Sequence, residues 1–286
     1  MPLVYLLALV ALLAALVRQR HPSTAPGERE RDWQPDLARQ AYGEVEGDTL
    51  TLHNVRNTRY GEPGEPYELV WETRRYDLSK VKRLWFLIAS FSRFEVVAHT
   101  FLSFEFEDGA SLAVSVEARP EEGKDYNLVE GVLRHFELSY VFGDERDLVL
   151  KRTVYQDTQI YLYPLVTPPG EVRSLLLRMV ETANALHTRA RFYNSVTENC
   201  TSVLREHANE VRPGSFPSFA LAQVMPGISD RVLYRKGWIE TDLPFERIRE
   251  RHAVQERSKR CEVDEGFSAC LREGLGEREG SGGETE

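Results

Sequence analysis

The sequence predicts an α+β domain, because strand-like segments fill its first half and helical patterns fill its second. Residues 94–118 consist of two alternating arms around a turn, which is the pattern of a β-hairpin. Apolar stripes with three- and four-residue spacing follow at 172–186 and at 203–211. We therefore expect an antiparallel sheet with helices packed against it.

Composition limits the classes of function. The chain has 286 residues, of which 42% are hydrophobic and 28% are charged, as in an ordinary folded protein. The net charge is −9 and no dense Lys/Arg stripe is present, so nucleic acid is not an expected partner. The sequence has no phosphate loop, no zinc-ligand spacing and no serine elbow, so we expect neither metal nor cofactor. Cys261 and Cys270 are either disulfide-bonded or free thiols, and the sequence leaves both open.

The N-terminal segment is apolar. Residues 3–17 carry no charge and are mostly Leu, Ala and Val, and Arg18 and Arg20 follow directly. This pattern favours an uncleaved membrane anchor over a signal peptide, although the positive-inside rule would then place the rest in the cytoplasm. We divide the chain into four parts: an anchor or signal-like segment at 1–20, a polar linker at 21–40, a globular domain at 41–250 and a charged, disordered tail at 251–286.

Other strand patterns flank the hairpin. We predict a short helical turn at 77–80 and a turn at 143–147. The predicted β segments, together with a buried apolar run at 81–91, are 49–54, 67–75, 136–142, 148–154 and 159–165.

The hairpin holds the most informative histidine. A loop at 107–109 sets a register in which His99 faces Glu117, with side chains about 5 Å apart. A slip of one residue would replace Glu117 with Ala118. The surrounding face is small, with Ser103, Ala113 and Ser115, so a helix could approach it closely. The remaining histidines among charged residues are expected to be solvated: His53, His135, His187, His207 and His252.

Cys200 lies where a helix should begin. Ser195 and Glu198 have capping-box spacing, and Thr197 or Asn199 are alternative caps. In each case Cys200 falls in or near the first turn, where free N–H groups and the helix dipole favour a thiolate. The alternative interpretation is a small buried hydrophobe, which is how most free cysteines behave.

Several short motifs occur in the same order as in the Lnb-type periplasmic domain, which the chain resembles from about residue 33 to residue 211. The motifs are HNVRN at 53–57, AHTFLSF at 98–104, SVEAR at 115–119, YVFGDERD at 140–147, FYN at 192–194 and NCT at 199–201. The resemblance implies a permuted papain-like fold, distantly related to the NlpC-type cysteine peptidases, in which the histidine strand precedes the cysteine helix.

The resemblance also implies a chemistry, since the family includes bacterial lipoprotein N-acyltransferases. Cys200 would be the nucleophile, His99 would carry the proton, and Glu117 would orient His99. The expected partners are a phospholipid acyl donor, a lipoprotein amine acceptor and the inner membrane, with the globular domain in the periplasm. Two alternatives remain: a cell-wall peptide hydrolase of the NlpC-like type, and a non-catalytic membrane-anchored scaffold.

Overall fold

The structure of the protein, a computed structural model, describes residues 31–61, 67–90, 97–217, 222 and 225–275. The expected anchor at 1–20 lies outside the described residues, as do the first ten residues of the expected linker and residues 276–286. Within the described parts of the chain, no helix has the length and apolar character needed to cross a membrane.

One sheet is the frame of the fold. In the described residues it has eight strands in the order β1-β2-β7-β6-β5-β4-β8, with β3 also paired to β2. Neighbouring strands are antiparallel except β2 and β7, which meet in parallel at Arg56 and Gly143. The strands are β1 Tyr42–Glu46, β2 Thr49–Arg56, β3 Trp71–Asp77, β4 Val81–Ser90, β5 Ala98–Phe106, β6 Ser111–Arg119, β7 Glu137–Asp144 and β8 Gln159–Pro164.

Helices cover both faces of the sheet. They are α1 Leu128–Val132, α2 Glu145–Leu150, α3 Pro169–Thr188, α4 Cys200–Val211, α5 Ser229–Arg235, α6 Phe245–His252, α7 Gln255–Ser258 and α8 Phe267–Arg272, with a π-helical turn at Lys151–Tyr155. Apolar side chains of α3, α4, α5 and α6 share one core with the even-numbered residues of β5. Apolar side chains of α2 and α8 share a second core with Phe101 and Ala113 on the opposite face.

The hairpin register is confirmed. Phe101 pairs with Ser115 and Glu105 with Ser111, as the 107–109 loop predicts, and Gly109 adopts the positive φ that the turn requires. The helical turn at 77–80 is also confirmed, because Leu78–Lys80 forms a 3-10 turn that the Asp77 side chain caps. The small face of the hairpin does receive a helix, but the helix is α2 rather than the one that carries Cys200.

The strand predicted at 148–154 is wrong. Asp144 accepts a hydrogen bond from the backbone N–H of Arg146 at 3.0 Å, and this cap starts α2 directly after β7. Leu148 and Val149 belong to that helix and are fully buried. The apolar run therefore covers the sheet instead of extending it, and short apolar runs do not separate these two cases.

The disordered tail predicted at 251–286 is wrong for residues 251–275. Phe267 and Leu271 are buried in the second core, because the short helices α7 and α8 fold back over the sheet. A disulfide joins Cys261 to Cys270, which resolves the alternative that the sequence left open. The second half of the expected linker is also folded, since Leu37 is buried in the same core.

Candidate functional site

Cys200 is the first residue of α4, and Asn199 is the cap. The Asn199 side chain accepts from the N–H of Ser202 at 2.9 Å, and Ser202 Oγ accepts from the N–H of Asn199 at 2.8 Å. Of the caps that the sequence allowed, Asn199 is therefore the observed one. Ser195 and Glu198 belong instead to the loop before the helix, in which the N–H of Glu198 donates to the Asn194 carbonyl.

The strands β5 and β6 separate next to this helix start. Their pairing ends at Phe101 and Ser115, whereas β6 continues beside β7 as far as Arg119. Cys200 lies beside β5 just beyond that point: the hydroxyl of its neighbour Thr201 is 3.1 Å from that of Thr100, and hydrogen bonding by Thr100 helps to lower the pKa of the thiol. Strand β5, which carries His99, and helix α4, which carries Cys200, thus meet where the two strands of the hairpin separate.

The structure brings the three predicted side chains together. Cys200 and His99 act on each other by charge and by side-chain hydrogen bonding, which raises the pKa of His99 and lowers that of Cys200. His99 Nε2 lies 3.4 Å from Glu117 Oε1, and only 8% of His99 is exposed. Since Nε2 points towards Glu117, the other ring nitrogen, Nδ1, is the one available to the sulfur.

Ser115 lies between the histidine and the carboxylate, and sequence analysis gave it no role beyond its small size. Its Oγ–H donates to Glu117 Oε1 at 2.7 Å, and its Oγ lies 2.6 Å from His99 Nε2. Because the serine hydrogen is used on Glu117, its oxygen accepts the hydrogen of Nε2–H. This polarity keeps a proton on Nε2 and leaves Nδ1 of the neutral ring as the base for the thiol.

Arg152 completes the cluster and was missed from the sequence because it fell in the wrongly predicted strand. The π-helical turn places its guanidinium 2.7 Å from Glu117 Oε1 and 3.4 Å from Ser115 Oγ. The same guanidinium lies 4.5 Å from the centre of the Phe101 ring, and Arg152 is 3% exposed. We call His99, Ser115, Glu117 and Arg152 the relay.

The surroundings of Cys200 and His99 shift the pKa values of both side chains. Burial raises the pKa of the Cys200 thiol, but the charge and hydrogen bonding of His99, together with hydrogen bonding by Thr100, lower it to about 7. Burial lowers the pKa of His99, but Glu117 and Cys200 raise it to about 9. Burial raises the pKa of Glu117, whereas His99 and Arg152 hold it well below its usual value. Between about pH 7 and pH 9 the site is therefore a thiolate beside an imidazolium.

The start of α4 also supplies hydrogen-bond donors. The Asn199 side chain and carbonyl accept the N–H groups of Ser202 and Val203. The two preceding N–H groups, those of Cys200 and Thr201, have no acceptor within the helix by α-helical geometry. They point along the positive end of the helix dipole, where a developing oxyanion would be stabilised.

An apolar groove runs beside α4, next to residues that flank this pair. Its volume is about 960 Å³, counting the part open to solvent. Thr100 and Thr201 both line the groove, their hydroxyl oxygens are 3.1 Å apart, and the Thr201 oxygen is 3.9 Å from the Cys200 sulfur. The lining of the groove therefore comes within 3.9 Å of the thiol, at Thr201 in the first turn of the helix.

Two histidines expected to be solvated are instead buried. His207 accepts from or donates to the Tyr140 hydroxyl at 2.7 Å through Nε2, and His252 Nδ1 lies 2.6 Å from the Leu162 carbonyl. Both are held by core contacts away from the pair. In the described part of the chain, no three His, Cys, Asp or Glu side chains are arranged to hold a metal ion.

Comparison with known proteins gives one match. A family model described as the Lnb N-terminal periplasmic domain matches residues 67–227, which is more than half of the chain and includes the relay, Cys200 and most of the groove. Neither the curated proteins nor the solved structures contain a match.

Proposed function

The chain belongs to the family of the Lnb N-terminal periplasmic domain, and on that premise we propose that it is a membrane-associated acyltransferase with Cys200 as nucleophile. The acyl chain comes from a phospholipid and goes to the N-terminal amine of a lipoprotein. The observation that carries this proposal is the Cys200–His99 pair at a helix start. A thiol with a pKa of about 7 beside a buried histidine is the arrangement that nucleophilic cysteine chemistry requires.

The first half-reaction forms a thioester. The Cys200 thiolate attacks the ester carbonyl carbon, a C–S bond forms, and the carbonyl oxygen becomes an oxyanion beside the N–H groups of Cys200 and Thr201. The intermediate collapses by breaking the bond to the glycerol oxygen. His99 imidazolium gives its Nδ1 proton to that oxygen, so a lysophospholipid leaves and neutral His99 remains.

The second half-reaction transfers the chain. The acceptor amine attacks the thioester carbonyl, and Nδ1 of neutral His99 takes the proton that the amine loses. Breaking the C–S bond then releases the amide and restores the thiolate–imidazolium pair. Water in place of the amine would give a free fatty acid. The relay serves both halves, because Ser115 and Glu117 keep Nε2 protonated while Nδ1 gains and loses its proton.

The groove favours an acyl donor over a peptide. A peptide brings an N–H and a C=O for each residue, and each needs a hydrogen-bond partner when it leaves water. The groove is instead lined mainly by aliphatic and aromatic side chains such as Leu102, Leu204 and Trp238. A hydrocarbon chain needs no such partners, and its burial is favourable.

A mass-spectrometric experiment tests the proposal. The protein is incubated with phospholipid but without amine, and the peptide that contains Cys200 is searched for an acyl adduct. We expect an adduct that hydroxylamine removes, since a thioester is labile to it, and none on the matched Cys200→Ala variant. Adding a diacylglyceryl-cysteine peptide should discharge the adduct and acylate the peptide amine.

Two other results would contradict the proposal and identify its replacement. Release of labelled peptide from muropeptide, with no adduct from phospholipid, would indicate a cell-wall hydrolase. Absence of any adduct, together with slow alkylation of Cys200 at neutral pH, would indicate a non-catalytic scaffold.

A further inference from the structure

We infer that the groove beside α4 binds the hydrocarbon chain of the acyl donor and sets the chain length that the site accepts. This inference rests on the proposed function, since it assigns the groove to a chain whose carbonyl lies at Cys200. It goes beyond that function by naming the residues that select among chains.

The groove follows α4 along its length. Residues of one helix face line it, from the first turn to the last: Thr201, Leu204, Arg205, Ala208, Val211 and Arg212. Their spacing of three and four residues is that of a single α-helical face. At 1.5 Å per residue, the path from Thr201 to Arg212 is about 16 Å long. The lining is therefore elongated along the helix, and its Thr201 end is the one next to the thiol.

The opposite wall is apolar and continuous. Phe86 of β4 and Leu102 of β5 lie across from the helix, and Leu165 and Leu175 extend that wall beyond the sheet. Such a surface suits an extended alkyl chain, because each buried methylene contributes about 0.8 kcal/mol and needs no polar partner.

The charged side chains on the groove do not require an ionic ligand. Arg212 and Glu171 both line it, and they form an ion pair with each other at 2.7 Å. The Arg205 guanidinium donates to the Pro217 carbonyl at 3.1 Å. The ion pair is therefore balanced within the protein and calls for no charged ligand, whereas Arg205 Nε has no partner among the described residues and offers one buried donor to the groove.

An aromatic pair marks the far end. The rings of Phe216 and Trp238 lie 4.8 Å apart at 69°, and Lys236 lies over both. The Arg212 guanidinium is 5.6 Å from the Trp238 ring, which places the pair beside the last turn of α4. A chain that enters at Cys200 would therefore meet these rings after about 16 Å of helix.

Ala208 gives a way to shorten the groove. It lies about 10 Å along the helix from Thr201, between the thiol and the aromatic pair, and only its methyl group occupies the groove there. A phenylalanine at this position would block the distal half and leave the first part open. Glu206 is exposed on the same helix, so Glu206→Phe adds the same ring outside the groove.

The experiment measures the rate of disulfide formation at Cys200 rather than turnover: the thiolate attacks the alkylthio sulfur of a methanethiosulfonate, and methanesulfinate leaves. Alkyl methanethiosulfonates with ethyl, octyl, dodecyl and hexadecyl chains, each below its micelle concentration, react with Cys200 of the whole protein. For the wild-type protein we expect the rate, relative to ethyl, to rise at least tenfold with chain length and then to fall once the chain exceeds the groove. In Ala208→Phe the maximum should move from dodecyl to octyl, and in Glu206→Phe it should not move.

The outcomes separate this inference from the proposed function. Equal relative rates for all chains in the wild-type protein, or an unchanged maximum in Ala208→Phe, would overturn the inference even if acyl transfer is found. A maximum that shifts as expected without any thioester adduct would support the groove and contradict the transferase. If Ala208→Phe melts early, Ala208→Leu should shift the maximum in the same direction by a smaller amount, and no shift there would overturn the inference.

Discussion

Two buried charged clusters meet at the π-helical turn, and only one has the features of a reaction centre. Lys151 of this turn contacts Asp36 in the first cluster, and the next residue, Arg152, contacts Glu117 in the relay. The first cluster, which we call the Arg56 cluster, consists of Asp36, Arg56, Thr58, Tyr60 and Asp147.

The two clusters differ in what their buried polar groups contact. In the Arg56 cluster Asp147 accepts from Arg56, from the backbone N–H of Thr58 and from the Tyr60 hydroxyl, and it is completely buried. The relay instead lies beside a thiol whose neighbour Thr201 lines a groove. Burial and charge are thus common to both clusters, and a free thiol near a groove distinguishes the proposed reaction centre from the structural cluster.

The largest expected effect is the loss of the thiol. Cys200→Ala should reduce acyl transfer by at least about 10³-fold, because the nucleophile is gone, and should change the free energy of unfolding by no more than about 1 kcal/mol. Activity assays and urea unfolding measure the two effects. A Cys200→Ala variant with wild-type activity would remove the distinction between the clusters.

The Arg56 cluster should respond in the opposite way. Asp147→Asn leaves the buried Arg56 without its main counter-charge, so we expect a loss of about 3–5 kcal/mol in the free energy of unfolding. The alkylation rate of Cys200 in the folded fraction should stay at the wild-type value. Asp157→Asn, at an exposed carboxylate, is the matched control and should change neither quantity. A large fall in thiol reactivity in Asp147→Asn would show that the clusters are not separate.

The disulfide should matter for stability and not for reactivity. Cys261→Ser with Cys270→Ser opens a loop of about ten residues, for which the chain-entropy model gives a loss of about 2–3 kcal/mol. Thermal unfolding measures the loss of stability. The rate of iodoacetamide labelling of Cys200 tests whether its reactivity is unchanged. A changed labelling rate at Cys200 would mean that the C-terminal segment acts on the site.

The smallest of these effects belongs to Ser115. Ser115→Ala removes the hydrogen bond that holds Nε2–H of His99, a contact to a charged group with a free energy of about 1.5 kcal/mol. We therefore expect the pKa of Cys200 to rise by about one unit and acyl transfer at neutral pH to fall roughly fivefold, as the thiolate fraction does. Measuring the alkylation rate of Cys200 against pH distinguishes a raised pKa of the thiol from a packing defect.

Ser139 supplies the control for that experiment. It is buried on β7 opposite Glu117, and its Oγ has no hydrogen-bond partner among the described residues. Ser139→Ala should therefore leave the pKa of Cys200 unchanged. If both variants shift it equally, Ser115 has no specific role.

Sequence reasoning predicted Cys200, His99 and Glu117 as site residues and gave no role to Ser115 or Arg152. His99 and Glu117 followed from a loop length and a two-residue period, and Cys200 followed from a capping signal. These are local rules. Arg152 could not be found in this way, because its role depends on α2 and a π-helical turn that the apolar run at 148–154 does not distinguish from a strand.

The second failure has a similar cause. The segment from 251 to 275 is rich in charge, and composition alone predicted disorder. A few apolar residues of this segment, among them Phe267 and Leu271, pack into the second core and hold the segment against the sheet. That core is formed by residues more than 100 positions earlier, so no local pattern reveals it.

The proposed chemistry depends most directly on the protonation state of Cys200. The rate of iodoacetamide alkylation should be measured against pH in the wild-type protein and in His99→Ala, since only the thiolate reacts. The account predicts an inflection at about pH 7 in the wild-type protein and one near pH 9 in His99→Ala, where the imidazolium no longer favours the charged sulfur. An inflection near pH 9 in both proteins would contradict it.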